Sequence, residues 1–170
     1  DMSLHFSDYR SGERTFQLIT QVAGRSGRAD EKGKVVLQTY SPENYILRYA
    51  VNYDYKGFFE NEVKIRKATN FPPYSLICRV MVTAEEDRAA LEVLKEVYFA
   101  IDALRRADEE EFIFFNKMHS PIKKIQGRVR YQVLMRLKSS KLLPHIYDIA
   151  VRSSTSSALA YVEENPANLS

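Results

Sequence analysis

The stretch Gln21–Arg28 (QVAGRSGR) holds the residues whose types and spacing best suit a chemical role. Two arginines, Arg25 and Arg28, stand three positions apart, and each follows a glycine. Phosphoryl transfer needs positive charge against the oxygens of the transferred group, and an arginine supplied from outside the main pocket can provide it. Glycines beside the arginines allow the backbone to approach a ligand closely. Because arginine–glycine pairs also occur in ordinary loops, this pattern alone leaves both interpretations open.

A second candidate site is a cationic stretch in the second half of the chain. Residues 112–147 contain eight basic and no acidic side chains, whereas residues 85–111 contain ten acidic and four basic ones. Side chains alternate between faces along a strand, so a strand over Arg128–Lys138 would place apolar residues on one face and cations on the other. Several cations are expected to attract a phosphate backbone: Lys123, Lys124, Arg128, Arg130, Arg136 and Lys138. The alternative is a solvated strand face balanced by the acidic stretch.

Composition argues against several other classes of function. The one cysteine, Cys78, can form neither an internal disulfide nor a zinc site of the usual multi-cysteine kind, and the three histidines show no ligand spacing, so no metal site is expected. The sequence has no run of about 18 apolar residues and no signal peptide at its start. We therefore expect a reducing, cytoplasmic setting and no membrane partner. A strong motif so close to residue 1 predicts a piece cut from a longer protein.

A predicted helix precedes the arginine motif. Apolar residues recur three or four apart over Glu13–Gly24, and glycines can end the helix. Phe16, Ile19, Val22 and Ala23 lie on one stripe of this predicted helix. A strand is predicted at Lys34–Tyr40, and helices are predicted at 42–52 and 55–69. The sequence Asn70-Phe71-Pro72-Pro73 cannot continue a helix and predicts the main domain boundary.

Beyond residue 70 the sequence predicts the order strand, helix, strand, strand, helix, strand. The predicted strands are 75–83, 112–115, 128–138 and 159–163, and the predicted helices are 85–107 and 142–152. This order is typical of a split β-α-β domain, in which two helices cover one face of a sheet. We therefore predict an α+β fold with a ferredoxin-like domain.

Taken together, these motifs resemble a known family. Residues 8–40 (DYRSGERTFQLITQVAGRSGRADEKGKVVLQTY) resemble the end of the second motor lobe of superfamily 2 helicases, with QVAGRSGR as motif VI. More narrowly, the chain is similar to the replication-restart helicases, the primosomal protein N′ family. The Asn70–Tyr74 junction, the Gly127–Gln132 strand entry and the Val162–Pro166 segment follow that family's order.

The resemblance implies three parts in the chain. Residues 1–45 would be the last helix and strand of a RecA-like α/β motor lobe, and residues 46–70 a helical connector. Residues 71–170 would be a C-terminal split β-α-β DNA-binding domain, similar to one protein of the small ribosomal subunit. By the same resemblance, Arg25 and Arg28 are catalytic arginine fingers that reach an ATP γ-phosphate. Gln21 and Gly24 would help to bind ATP.

The resemblance also implies an ATP-dependent 3′–5′ DNA helicase that recognises stalled forks and restarts replication by primosome assembly. Its expected cofactors are ATP, Mg²⁺ and, outside this chain, zinc. Its expected partners are branched or single-stranded DNA, single-stranded-DNA-binding protein and other primosome proteins. This sequence lacks a G-x-x-x-x-G-K-[ST] phosphate loop and a Walker B motif. We therefore expect the chain alone to bind DNA or a partner without hydrolysing ATP.

Two other functions remain as alternatives. The chain could be a free-standing nucleic-acid-binding protein of the ribosomal type, whose glycine–arginine loop binds RNA. It could also be an adaptor that docks partners through the aromatic residues of the helices at 42–69. We expect those aromatic residues to pack the parts of the chain together instead: Tyr45, Tyr49, Tyr53, Tyr55, Phe58 and Phe59.

Overall fold

The computed structural model describes residues 9–25 and 34–166. The chain divides into two compact units, the first ending at Thr69 and the second beginning at Asn70. Within the described ranges, no helix is long and apolar enough to cross a membrane.

The described part of the first unit contains three helices: α1 (Ser11–Arg25), α2 (Tyr45–Val51) and α3 (Tyr55–Ala68). Asn44 caps α2 by accepting a hydrogen bond from the Ile46 N–H, and Asp54 caps α3 by accepting one from the Gly57 N–H. Such side-chain oxygens satisfy N–H groups that a first helical turn leaves free. The three helix predictions are confirmed, although α2 begins at Tyr45, directly after its cap Asn44, rather than at residue 42.

Among its described residues, the core of the first unit contains Phe16, Ile46, Ala50 and Phe58. The rings of Phe16 and Phe58 stack with their centroids 4.5 Å apart. Ile19 packs against this core, whereas Val22, one turn further along α1, is 48% exposed. Val22, on the same predicted stripe, therefore lies outside this core, because the core contacts of α1 end near Ile19.

The strand predicted at Lys34–Tyr40 is not formed. These seven residues have no regular secondary structure, and all of them are exposed. An apolar run of this kind is stable as a strand when neighbouring strands pair with it and helices cover both faces of the sheet. The described residues of the first unit contain no strand that could pair with it.

The second unit has the predicted order of elements. It contains β1 (Leu76–Ala84), α4 (Asp87–Ala107), β2 (Phe112–Ile125), β3 (Arg128–Leu137), α5 (Leu143–Ser153) and β4 (Ala158–Glu164). The strands lie in the order β2-β3-β1-β4, and all neighbouring pairs are antiparallel. The α+β class is thus confirmed, with β2 much longer than its predicted four residues.

One face of this sheet packs against α4 and α5. Alternate residues of β1 and β3 supply the sheet side of the core: Cys78, Val80, Val82, Ala84, Tyr131, Val133, Met135 and Leu137. Val97 and Ile101 of α4 and Ile146 of α5 lie opposite them, fully buried. Burying one such aliphatic side chain stabilises a fold by about 1.5–3 kcal/mol. This core fixes which face of β3 is free to carry other residues.

Candidate nucleic-acid interface and arginine motif

A tight turn places the predicted cations at one end of the sheet. β2 and β3 are joined by Gln126 and Gly127, whose φ angles are +48° and +82°. Positive φ at both central residues is typical of a type I′ turn, whose twist matches that of the flanking strands. The turn sets Ile125 opposite Arg128 and Lys124 opposite Val129. Because residues 121–127 are all exposed, this hairpin tip is open to solvent.

Four of the six predicted cations gather at the tip and are called the tip cluster: Lys123, Lys124, Arg128 and Arg130. Both lysines are exposed, and both arginines are half-buried. The Arg128 guanidinium donates to the Thr83 carbonyl oxygen at 3.3 Å and lies 3.5 Å from a Glu85 carboxylate oxygen. The Glu85 side chain is 82% exposed, so water and salt screen this pair. The tip therefore keeps a strong positive charge.

The other two cations, Arg136 and Lys138, lie at the opposite end of β3. The Arg136 guanidinium lies 5.0 Å from the ring centroid of Phe71. Burial lowers the pKa of the Arg136 guanidinium below its ordinary value. Lys138 is exposed and directly follows the strand. Arg130 and Arg136 are six residues apart, which is about 20 Å along a strand, so the structure does not bring all six cations together.

The centre of β3 separates the two groups of cations. Side chains alternate between the two faces of this strand as predicted, and one row of them packs in the core. On the other face, however, Gln132 is 1% exposed and Leu134 is 2% exposed. The prediction that this whole face presents cations to solvent is therefore wrong. Ile77 and Met81 of the neighbouring β1 lie on the same face and are also buried, which the pattern of β3 alone could not show.

The described ion pairs of the acidic stretch at 85–111 lie mostly away from the tip cluster. Asp102 binds Arg106 and Arg105, and these bonds hold the pKa of Asp102 below its usual range. Asp108 pairs with Lys141 at 2.6 Å. Within the part of the chain that the structure describes, Glu85 is the one acidic residue that pairs with the tip cluster. The sequence left open that the acidic stretch balances the charge of these cations. Such balance is seen for one member of the tip cluster, Arg128.

The last turn of α1 carries the described part of the arginine motif. Gln21, Gly24 and Arg25 are exposed, and the helix runs through Gly24 to end at Arg25. Arg25 forms no ion pair with another described residue. A methyl group added at Gly24 would meet nothing within 4 Å, so the surface beside Arg25 is open. Arg28 lies outside the described residues, and its geometry relative to Arg25 remains a prediction.

A polar network fixes the other end of α1. The Arg66 side chain donates to Glu13 of α1 at 2.9 Å, to Glu62 at 3.1 Å and to the Tyr9 carbonyl oxygen at 3.1 Å. The Tyr45 hydroxyl donates to the other oxygen of Glu62 at 2.9 Å, and burial raises the pKa of Tyr45 well above its usual range. Sequence reasoning missed this network, although Glu62 and Arg66 stand at the four-residue spacing of helical ion pairs.

A small cleft lies beside the network in the first unit. It measures about 190 Å³ and is lined by Glu13, Phe16, Gln17, Tyr55, Phe58, Phe59 and Glu62. Tyr55 and Phe59 are 63% and 53% exposed, and Tyr53 is 57% exposed. The predicted packing role therefore fits the buried Phe58 and the half-buried Tyr45 and Tyr49 but not those three.

The remaining reactive groups form no further site in the described residues. No group of three or more His, Cys, Asp or Glu side chains in these ranges could hold a metal ion. Cys78 is buried in the sheet, and this burial raises the pKa of its thiol to about 12.

Sequence reasoning also missed two apolar residues at the hairpin tip. Ile122 and Ile125 are 46% and 42% exposed and flank Lys123 and Lys124. The signal in the sequence was Ile-Lys-Lys-Ile, which has apolar residues but no strand alternation.

Comparison with known proteins identifies relatives along most of the chain. No family model matches it. It is 36% identical over 143 residues (84% of the chain) to the replication restart protein PriA of Bacillus subtilis, covering 17% of that protein. It is 36% identical over 135 residues (79% of the chain) to PriA of Rickettsia conorii, covering 20% of it. It is 28% identical over 163 residues (96% of the chain) to PriA of Borreliella burgdorferi, covering 24% of it.

The chain thus spans about a fifth of the length of the curated relatives that it matches. The resemblance carried by the arginine motif and the β3 entry is confirmed: the chain is homologous to one segment of the PriA replication-restart proteins.

Proposed function

We propose that the second unit is a nucleic-acid-binding module and that the tip cluster is its main contact. The observation that supports this proposal is the gathering of four cations at an exposed hairpin tip, where the described residues supply one acidic partner, the solvent-screened Glu85. Each phosphate that a cation neutralises releases counterions to water, which drives binding. Branched or single-stranded DNA is the proposed ligand, because the homologous PriA proteins are named for replication restart.

The cations at the two ends of β3 can contact phosphates spaced along one nucleic acid that passes over the buried centre of the strand. Their separation of about 20 Å corresponds to about six steps of 3.4 Å along one strand of a duplex. The tip cluster would hold the phosphates at one end of such a segment, and Lys138 would hold those at the other. Arg136 would contribute less, because its guanidinium is half-buried over the ring of Phe71.

For the whole protein we propose an ATP-dependent 3′–5′ DNA helicase of the cytoplasm that recognises stalled forks and assembles a primosome. Residues 1–45 would end the second motor lobe, 46–70 would connect, and 71–170 would form a ferredoxin-like domain similar to a small-subunit ribosomal protein. Homology to PriA supports this assignment, as does the β-α-β-β-α-β order. ATP, Mg²⁺ and, outside this chain, zinc are the proposed cofactors. The proposed partners besides DNA are single-stranded-DNA-binding protein and other primosome proteins.

In this proposal Arg25 and Arg28 are arginine fingers, and Gln21 and Gly24 contact the nucleotide. An arginine finger must be free to reach a ligand held elsewhere, and the exposed Arg25 at the end of an anchored helix fits that requirement. ATP with Mg²⁺ supplies the phosphoryl group that is transferred to water. The role of this chain is to place positive charge against the oxygens of that group.

The full-length enzyme tests the finger assignment. Changing Arg25→Ala is expected to lower DNA-stimulated ATPase about 10³-fold or more while fork affinity stays unchanged. Arg48→Ala, which removes an exposed arginine from α2, is the matched control and should keep its ATPase. Equal ATPase in the Arg25→Ala variant and the control would contradict the assignment. The purified chain alone should show no ATPase, and DNA-stimulated turnover by it would contradict the proposed division of labour.

The isolated chain tests the binding module. One variant carries Lys123→Gln, Lys124→Gln and Arg130→Gln, and its control carries Arg88→Gln, Lys95→Gln and Arg152→Gln. Both lose three charges, but the control residues lie exposed on α4 and α5, against the other face of the sheet. Fluorescence anisotropy with forked DNA should show weak binding for the first variant and near-parental binding for the control. An equal loss in both would show that net charge, and not the tip cluster, governs binding.

A second candidate function, docking of a protein partner, is favoured by the exposed rings of Tyr55 and Phe59 beside the cleft of the first unit. Solvent-exposed aromatic side chains are enriched at protein interfaces. Replacing both with alanine in the full-length protein should then weaken binding of a primosome partner without changing fork affinity. Unchanged partner binding would exclude this role for the cleft.

A further inference from the structure

Two isoleucines lie exposed to solvent at the hairpin tip of the second unit. Ile125 is 42% exposed at the last position of β2, and Ile122 is 46% exposed three residues earlier. Neither belongs to the buried core of the sheet. Single exposed apolar residues are common on protein surfaces, but turns are ordinarily polar, so two isoleucines within a cationic hairpin tip depart from the usual pattern.

The cations near Ile125 indicate which kind of ligand this side chain would contact. Ile125 pairs directly with Arg128 in the antiparallel ladder, and residues paired in this way share a face of the sheet. Arg130, two residues further, lies on the same face. Lys123 and Lys124 immediately precede Ile125. Ile125 thus shares its face with Arg128 and Arg130, whereas Lys124, which pairs with the core-facing Val129, lies on the other face of the tip. Among the described residues, the one acidic partner of these cations is the exposed Glu85.

We propose that Ile125, supported by Ile122, is an apolar wedge that contacts base faces where a duplex opens, while the tip cluster holds the flanking phosphates. This role rests on the proposed nucleic-acid-binding function and adds the feature that is recognised, an accessible base step at a junction. Phosphate contacts position a protein on DNA but do not touch the bases, so contact with an open base step needs a separate group. Isoleucine is one of the side chains that proteins insert between base steps.

The hairpin holds the backbone of Ile125 in a fixed position. The two-residue turn at Gln126 and Gly127 and the pairs Lys124–Val129 and Ile125–Arg128 fix the backbone on both sides of Ile125. A β-branched side chain on a paired strand also has few rotamers to lose on binding. The tip can therefore press against a base without a large ordering cost.

The test compares the chain on a forked DNA and on a blunt duplex of the same length, both by fluorescence anisotropy. Ile125→Thr keeps the β-branched shape and removes the apolar character, and Ile125→Phe keeps the apolar character. Val151→Thr on α5, where Val151 is 72% exposed, is the matched control. We expect Ile125→Thr to weaken fork binding about tenfold and to leave duplex binding and its salt dependence unchanged. Ile125→Phe and Val151→Thr should bind the fork like the parent chain.

A base analogue at the junction provides a second readout. 2-Aminopurine at the first paired position should brighten when the parent chain or Ile125→Phe unstacks it, and should stay dark with Ile125→Thr. Equal fork affinity and equal brightening for the parent and Ile125→Thr would overturn the wedge while leaving the phosphate contacts intact. An equal loss of duplex and fork affinity in Ile125→Thr would also overturn it. If the parent chain bound neither DNA, the proposed binding function itself would fail.

Discussion

Arg66 holds the start of α1, and with it the helix that carries Arg25, through hydrogen bonds to Glu13 and to the Tyr9 carbonyl oxygen, while a third bond joins it to Glu62 of its own helix. The perturbation that tests this is Arg66→Ala. The Glu62 side chain is 10% exposed, so losing its partner leaves a nearly buried carboxylate, which costs about 3–5 kcal/mol in comparable cases. The Glu13 side chain is 41% exposed, so its ion pair adds less than about 1 kcal/mol. Tyr45 still donates to Glu62 in the variant, which favours the lower limit, about 3 kcal/mol.

Hydrogen exchange read by mass spectrometry measures this loss locally. At about 1.4 kcal/mol per tenfold change, protection of the α1 and α3 amides should fall about 150-fold in Arg66→Ala. Glu13→Ala should lower it less than about fivefold. Arg66→Lys should lie between the two, since an ammonium group cannot reproduce the planar fork of an arginine. Arg48→Ala removes an exposed arginine of the same unit and is the control. Protection in Arg66→Ala equal to that in the control would refute the reasoning.

Three further predictions concern single side chains. The Tyr131 hydroxyl donates to Asp87 at 2.6 Å, and this bond raises the pKa of Tyr131 to about 12. The folded state holds that proton more tightly than the unfolded state. The parent chain should therefore have a higher free energy of unfolding in urea than Tyr131→Phe below about pH 10, and this difference should disappear as the pH rises towards 12. Iodoacetamide should label the buried Cys78 thiol at pH near 8 only as fast as the sheet opens, and rapid labelling of the native chain would contradict its burial. Asp54→Ala removes the cap that binds the Gly57 N–H and should cost about 0.5–2 kcal/mol in thermal or urea unfolding.

Local patterns were enough to predict most of the second unit. Alternating apolar residues marked β1 and β3, and three- and four-residue spacing marked α4 and α5, so the order of elements followed from short stretches of sequence. Most of β2 was missed, because residues 116–125 show no alternation and contain Pro121. They form a strand because β3 lies beside them. The prediction at Lys34–Tyr40 was wrong for the opposite reason. Its sequence is typical of a strand, but no described strand lies beside it to pair with it.

The candidate site was predictable in composition but not in arrangement. Counting charges identified all six cations, yet only the turn at Gln126 and Gly127 and the pairing of β2 with β3 show that four of them share one tip. The buried centre at Gln132 and Leu134 depends on residues contributed by β1, which lie about fifty positions earlier in the sequence. The alternation of side chains along one strand does not predict which residues of another strand will lie beside it.

The salt dependence of fork binding measures the proposed role of the tip cluster most directly. The logarithm of the binding constant should fall linearly with the logarithm of salt concentration, with a slope of about −0.9 for each duplex phosphate neutralised. The variant carrying Lys123→Gln, Lys124→Gln and Arg130→Gln should therefore have a slope shallower by about 2.7, while the helix control with three charges removed keeps the parental slope. A parental slope in the tip variant, or the same change in both variants, would contradict the assignment of the tip cluster as the nucleic-acid contact.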